Sequence, residues 1–122
     1  MDDRRDTERK SPGLYFGIVD RNSGNIVGTL GDITIRGLML IGDNPFETNA
    51  IYQLKLVMPT AVMGSREIPF DGRCIWSKET AESGRFCAGF QFTDISSQNV
   101  ERIELMVESR LFESSRSQIV RF

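Results

Sequence analysis

The sequence predicts an all-β domain that ends in one α-helix, with about six short antiparallel strands closed into a small barrel. Between residues 14 and 92 the apolar residues recur mainly at every second position, which puts them on one face of a strand. From residue 98 the apolar spacing changes to three and four, as on one side of a helix. Six strands with one apolar face each avoid exposed edges by curling into a barrel.

The first two strands are predicted to form a hairpin. Leu14, Phe16 and Ile18 begin the alternation. Residues 20–24 then supply turn formers, and the apolar pattern resumes over residues 26–30.

Four more strands follow in the predicted order. The third is the short apolar run 38–41, and the fourth ends before Pro59. The alternating face of the fourth strand holds Tyr52, Leu54, Leu56 and Met58. The fifth strand places one set of side chains on its apolar face, namely Ile68, Phe70, Gly72, Cys74 and Trp76. The sixth repeats this design with Phe86, Ala88, Phe90 and Phe92.

The predicted helix begins near Gln98, where Ser96 or Ser97 can cap its first turn. Its apolar side, expected to pack on the barrel or on a partner, holds Val100, Ile103, Met106 or Val107, and Leu111. The charged residues at 101, 102, 104, 108 and 110 fall mostly on the opposite face. The predicted organisation is a flexible arm over residues 1–12, the barrel and helix over 13–113, and a tail over 114–122.

Composition narrows the classes of function. The chain has 122 residues, enough for one domain, and a net charge of −2, so no broad field attracts DNA or RNA. It has no histidine, so the usual imidazole base and the commonest metal ligand are missing; we expect no metal, no cofactor and no enzymatic activity. No apolar run suits a membrane span and the first ten residues are charged, which favours the cytoplasm. Cys74 and Cys87 are expected as reduced, buried thiols, although a cross-strand disulfide is conceivable.

Two segments concentrate polar chemistry. The first is the cationic run over residues 4–10, which has no apolar residue to anchor it and is predicted to be mobile. The second runs over residues 31–37, where Asp32 and Thr34, two apart on a strand, are expected on one face. Gly37 removes the side chain where the strand must turn or allow a close approach. Alone, either segment also suits an ordinary solvated terminus or turn.

In this order and on this background, the segments resemble the PilZ domain, a bacterial receptor module for the second messenger cyclic di-GMP. That family carries an RxxxR motif and, after one hairpin, a (D/N)xSxxG motif, on a six-stranded barrel usually followed by a helix. Residues 5–9 match the first motif, and residues 32–37 match the second with Thr34 in place of serine. Later segments that also look like PilZ strands and the start of its helix are 72–76, 88–92 and 94–96.

The ligand's chemistry suits these residue types. Cyclic di-GMP has two phosphates and two guanines, and an arginine fork can bind phosphate or the O6/N7 edge. An ionised aspartate accepts from the guanine N1–H and N2–H, with a hydroxyl beside it. The resemblance therefore implies the ligand-binding set Arg5, Arg9, Asp32, Thr34 and Gly37. Positive potential is added by Arg4, Lys10 and Arg36.

The implied mechanism is an ordering of the arm across the barrel when the ligand binds, which creates a surface that a protein partner reads in motility or another surface behaviour. The leading alternative is a PilZ-like adaptor that binds no cyclic di-GMP and uses the helix over residues 98–112. A small barrel for single-stranded nucleic acid and an enzyme with paired carboxylates are the remaining alternatives.

Overall fold

The computed structural model describes residues 16–82 and 84–109. They form a closed barrel of six antiparallel strands in the order β1-β2-β3-β6-β5-β4, followed by one helix. The elements are β1 (Gly17–Asp20), β2 (Ile26–Ile33), β3 (Gly37–Gly42), β4 (Ile51–Val62), β5 (Ser65–Glu79), β6 (Phe86–Asp94) and α1 (Ser97–Glu108). The predicted fold class is confirmed. The predicted arm, the predicted tail, Leu14 and Leu111 lie outside the described residues.

The core fills the barrel from alternate positions of the strands. Leu38 and Leu40 of β3 face it together with Ala88 and Phe90 of β6, and all four are fully buried. Burying one large aliphatic or aromatic side chain contributes about 1.5–3 kcal/mol, so this alternation supplies much of the driving force for closure. The four-residue β1 closes the barrel because it pairs with β2 on one side and β4 on the other.

Helix α1 packs on the barrel, which is one of the two placements that the sequence predicted; the other was on a partner. Ile103 and Met106 are fully buried, whereas Val107 is exposed, so Met106 is the residue that continues the buried face. Ser96 is the N-cap, and its side chain accepts from the Asn99 N–H. Within the described residues, no helix is both long and apolar enough to cross a bilayer.

Arg102 does not share the solvent face of α1, which corrects the sequence prediction. Its Nε donates to the carbonyl of Val62 (2.9 Å), and its Nη2 donates to the carbonyl of Met63 (2.9 Å). A third bond joins its Nη1 to Asn99 Oδ1 (2.7 Å). The arginine therefore ties the helix to the β4–β5 turn, because its planar fork reaches several acceptors at once.

Two strands depart from the simple alternation. β4 does not end before Pro59 but runs on to Val62, and its ladder with β5 is irregular between Val57 and Val62, where a residue without an N–H is tolerated. β5 has an irregularity between Cys74 and Trp76 opposite β6. This bulge moves Trp76 off the core face on which the sequence placed it.

The two cysteines are free thiols on different faces. Cys74 is buried in the core as predicted, whereas Cys87 is only half-buried, which corrects the prediction for that thiol. Cys87 pairs in register with Ile41 and Lys78. Burial raises the pKa of the Cys74 thiol. Burial also raises the pKa of Cys87, although Lys78 and Arg85 act in the opposite direction. A raised pKa lowers the fraction of thiolate, which is the nucleophilic form of a cysteine.

Candidate functional site

The candidate site is built on the tight turn between β2 and β3. Ile33 and Leu38 are the last paired residues, and the N–H of Thr34 donates to the carbonyl of Gly37 (2.9 Å). Ile35 and Arg36 therefore form the exposed tip. The sequence analysis assumed that Asp32 and Thr34 lie on one strand and share a face. Thr34 lies one residue beyond β2, so strand alternation does not set the direction of its side chain.

The backbone of this turn holds the side chains of both polar motif residues. Asp32 Oδ1 accepts from the N–H of Ile33 (2.9 Å), and Thr34 Oγ1 accepts from the N–H of Arg36 (3.1 Å). Asp32 Oδ2 receives no hydrogen bond from the described residues, and the Thr34 hydroxyl keeps its proton to donate. The turn thus presents an acceptor and a donor whose positions are set before any ligand arrives.

A bulge at Gly31 points Asp32 away from the core. The β2–β3 register shifts between Leu30 and Asp32, so that Leu30 and Ile33 both face the barrel interior. The intervening Asp32 is half-buried and pairs with Met39.

The packing of β3 against β6 requires a glycine at position 37. It is buried, and a Cβ at this position would overlap the backbone carbonyl of Phe90 on β6. The close approach that Gly37 allows here is that of the neighbouring strand, which positions the β2–β3 turn against β6. A hydrogen bond from the N–H of Phe92 to the carbonyl of Arg36 (2.9 Å) fixes the same junction.

Four strands bring Asp32 into line with the single tryptophan of the chain. Asp32 of β2 pairs with Met39 of β3, Met39 pairs with Gly89 of β6, and Gly89 pairs with Trp76 of β5. We call these four residues the outer row. The indole of Trp76 occupies the space where a Cβ on Gly89 would lie, and the Nζ of Lys78 is 5.9 Å from the centre of its ring.

The outer row carries apolar surface on the outside of the barrel. Met39 alternates with the core residues Leu38 and Leu40, so it faces away from the core cluster, yet only 3% of it is exposed. Its sulfur lies over Gly31, at 2.6 Å from where a Cβ would be. Sequence reasoning missed Met39 and Trp76 because their alignment with Asp32 depends on the pairing between strands, including the bulge in β5 opposite β6. The only local signal was Gly89, whose missing side chain leaves room for a ring.

Phe16, the first described residue, is bonded to β2 two residues before Asp32. The carbonyl of Phe16 accepts from the N–H of Leu30 (3.0 Å), and Asp32 follows two residues later. Four predicted ligand-binding or supporting cations, Arg4, Arg5, Arg9 and Lys10, lie outside the described residues. Of the predicted cations, Arg36 is described, and it is exposed at the turn tip.

Two cavities of the described structure lie elsewhere on the barrel. One cavity of about 590 Å³ lies between β2 and the end of β3 and is lined by Gly42 and Arg85. A second, of about 550 Å³, lies at the start of α1. Neither is lined by Asp32 or Thr34.

The chain belongs to the PilZ domain family, whose model matches residues 3–109. The match includes the RxxxR segment, the β2–β3 turn, all six strands and α1. The resemblance stated from the sequence is confirmed. No curated protein matches the chain significantly in sequence.

Solved structures share the fold at low sequence identity. The Bacillus subtilis inhibitor of motility MotI/DgrA has a TM-score of 0.62 at 11% identity, over 80% of this chain and 46% of MotI. The PilZ domain of Escherichia coli YcgR with c-di-GMP has a TM-score of 0.54 at 14% identity, over 85% of this chain and 83% of that domain. Borreliella burgdorferi PlzA in complex with c-di-GMP has a TM-score of 0.50 at 10% identity, over 89% of this chain and 47% of PlzA. This chain spans about half the length of MotI and of PlzA.

Proposed function

We propose that this protein is a cyclic di-GMP receptor that binds its ligand over the outer row and the β2–β3 turn. The observation that carries the proposal is the alignment of Asp32 with Trp76 across four strands of a PilZ barrel. A carboxylate for the donor edge of a guanine and an aromatic face for its ring are the two groups that a purine needs at one place. The structures of the YcgR PilZ domain and of PlzA contain c-di-GMP, which supports the same ligand class.

Each proposed ligand residue answers one chemical need. Asp32 accepts from guanine N1–H and N2–H, and the Thr34 hydroxyl donates beside it. Arg5 and Arg9 bind the phosphates and the O6/N7 edges. Arg4, Lys10 and Arg36 add positive potential around the two phosphate charges.

The arm can reach the outer row. Arg9 precedes Phe16 by seven residues, and seven residues span at most about 24 Å. Asp32 follows Leu30, the hydrogen-bond partner of Phe16, by about 7 Å of strand. Arg9 therefore has more than enough chain to fold back over a ligand held by Asp32 and Trp76.

The proposed output is a change of surface without catalytic turnover. Pairing of the arginines with phosphate orders residues 1–12 across the barrel, and a protein partner reads the new surface. We place this activity in the bacterial cytoplasm and in the control of motility or a related surface behaviour. The similarity to an inhibitor of motility supports that class of output.

The deciding experiment is a calorimetric titration with cyclic di-GMP of the parent chain, Asp32→Ala and Arg9→Ala. A charge-assisted hydrogen bond contributes roughly 1.5–3 kcal/mol, so each variant is expected to bind about tenfold to hundredfold more weakly. Asp43→Ala is the matched control, because Asp43 is an exposed carboxylate beyond the opposite end of β3, paired with Arg85 at 3.5 Å. Parent-like binding by Asp32→Ala would contradict the assigned site.

One observation favours an adaptor as the second candidate. Helix α1 exposes 44% of Leu105 and 43% of Val107 although its other face is packed on the barrel. If the folded parent chain with its arm intact does not bind cyclic di-GMP, the receptor proposal fails. A protein adaptor that uses this helix face then takes its place.

A further inference from the structure

We propose a second binding site, a groove between the barrel and the start of α1 that accepts a basic residue of a protein partner together with its peptide carbonyl. The groove is the 550 Å³ cavity, and the residues that carry the proposal are Arg21, Gln53, Asp71, Asp94 and Asn99. The proposal does not rest on dinucleotide binding, because none of these residues belongs to the outer row or the β2–β3 turn.

The first observation is a buried amide with unused donors. Asn99 lines the groove and is only 7% exposed. Its Oδ1 accepts from Arg102 (2.7 Å), and a guanidinium can only donate, so the oxygen must face Arg102. The NH₂ group of Asn99 has no acceptor among the described residues. A buried donor of this kind favours a ligand that brings a carbonyl oxygen.

The second observation is the charge of the barrel side. Arg21 Nη1 donates to the carbonyls of Leu54 (3.3 Å) and Phe70 (2.8 Å) and to Asp71 Oδ1 (3.2 Å). The Arg21 charge is thereby balanced by Asp71. Asp94 is exposed and has no ion pair with any described residue. The residues that line the groove therefore carry one net negative charge, which lies at the rim, while the Arg102 charge lies behind Asn99 and is not part of the lining.

These two features together select the class of ligand. Donors lie on the helix side and an uncompensated carboxylate lies on the barrel side, which matches a peptide carbonyl and a cationic side chain of one residue. Arginine fits best, because its planar fork can bind the Asp94 carboxylate with two parallel hydrogen bonds. A groove of this volume accommodates one such residue and its flanking peptide bonds.

The test is an NMR titration of the full chain, without cyclic di-GMP, using the capped peptide acetyl-Gly-Arg-Gly-amide. The expected result is saturable shifts of the amides of Gln53, Asp71 and residues 94–99. Asp94→Asn should weaken the binding by about tenfold or more, since it removes the charge-assisted bond and keeps the shape. Asp43 is an exposed carboxylate outside the groove, so the Asp43→Asn variant should bind the peptide as the parent does.

The same peptide with citrulline in place of arginine separates charge from shape, and it should bind at least tenfold more weakly than the arginine peptide. Equal shifts with both peptides, parent-like binding by Asp94→Asn, or no saturable shifts would each overturn the proposal. Binding of free arginine but not of the capped peptide would also overturn it, in favour of a small amino-acid site. Failure of cyclic di-GMP binding would leave this result unaffected.

Discussion

Trp76 shows how one residue changes its role when its strand gains a bulge. In a regular strand its side chain would share the core face of Phe70 and Cys74, but the irregularity after Cys74 turns it outward onto Gly89. A ring lying over glycine on the outside of a barrel adds little to the core. Its position in line with Asp32 is the reason why we propose it as the platform for a base.

The proposed site predicts that Trp76 reports ligand binding. It is the only tryptophan of the chain, so tryptophan emission excited beyond the absorption band of the two tyrosines reports this position alone. We expect cyclic di-GMP to change the emission with the same midpoint that calorimetry gives. Stacking on an aromatic side chain is worth about 1–3 kcal/mol per base, so Trp76→Ala should weaken binding about fivefold to hundredfold.

Ile51→Ala is the control for Trp76→Ala, because Ile51 is an exposed apolar residue that lies at the start of β4, outside the outer row. It should leave the affinity unchanged. An emission spectrum that does not respond at saturating ligand, together with parent-like binding by Trp76→Ala, would remove Trp76 from the site.

At the scale of the element, the link between α1 and the barrel depends on polar contacts as well as on Ile103 and Met106. Arg102 donates to both carbonyls that lead into the β4–β5 turn, where Met63 has a left-handed backbone conformation with φ of 52°. That conformation is costly for a residue with a side chain. The arginine therefore stabilises a turn that the local sequence does not favour.

We expect Arg102→Ala to destabilise the fold. The substitution removes the donors to two partly enclosed carbonyls and to Asn99, and each hydrogen bond from a charged group contributes about 1.5–3 kcal/mol. Because the contacts are non-additive and partly exposed, the expected loss in unfolding free energy is about 2–3 kcal/mol, measured by urea denaturation. Glu104→Ala, an exposed charge on the same helix, should change stability by less than about 0.5 kcal/mol. Equal stability of the two variants would contradict this role of Arg102.

The elements also show what sequence patterns can predict. Apolar alternation, and for β3 a short apolar run, located the six strands, and the change to helical spacing after the candidate caps Ser96 and Ser97 located α1, because these signals are local. The bulges at Gly31 and before Trp76 depend on register with neighbouring strands, which no local pattern contains. For that reason Asp32 was found from the sequence as a site residue, whereas Met39 and Trp76 were not.

At the scale of the whole molecule, the order of the strands connects the arm to the proposed site. β1 is only four residues long and is bonded on both sides, so its position on the barrel is fixed. Phe16, just before β1, is bonded to Leu30, two residues from Asp32. The proposed closure of the arm over a ligand on the outer row therefore needs no rearrangement of the barrel.

This arrangement predicts a local ordering and not a global change. In hydrogen exchange, residues 1–12 should become protected when cyclic di-GMP is added, whereas the amides of Gly17–Asp20 should exchange slowly in both states because β1 is already paired on both sides. Asp32→Ala should show no protection of residues 1–12 at a ligand concentration that saturates the parent. Protection should also weaken as salt is raised, since exposed guanidinium–phosphate attraction is screened beyond about 10 Å at 0.1 M. Equal exchange of residues 1–12 with and without bound ligand would show that the arm is not the switch, even if the ligand binds.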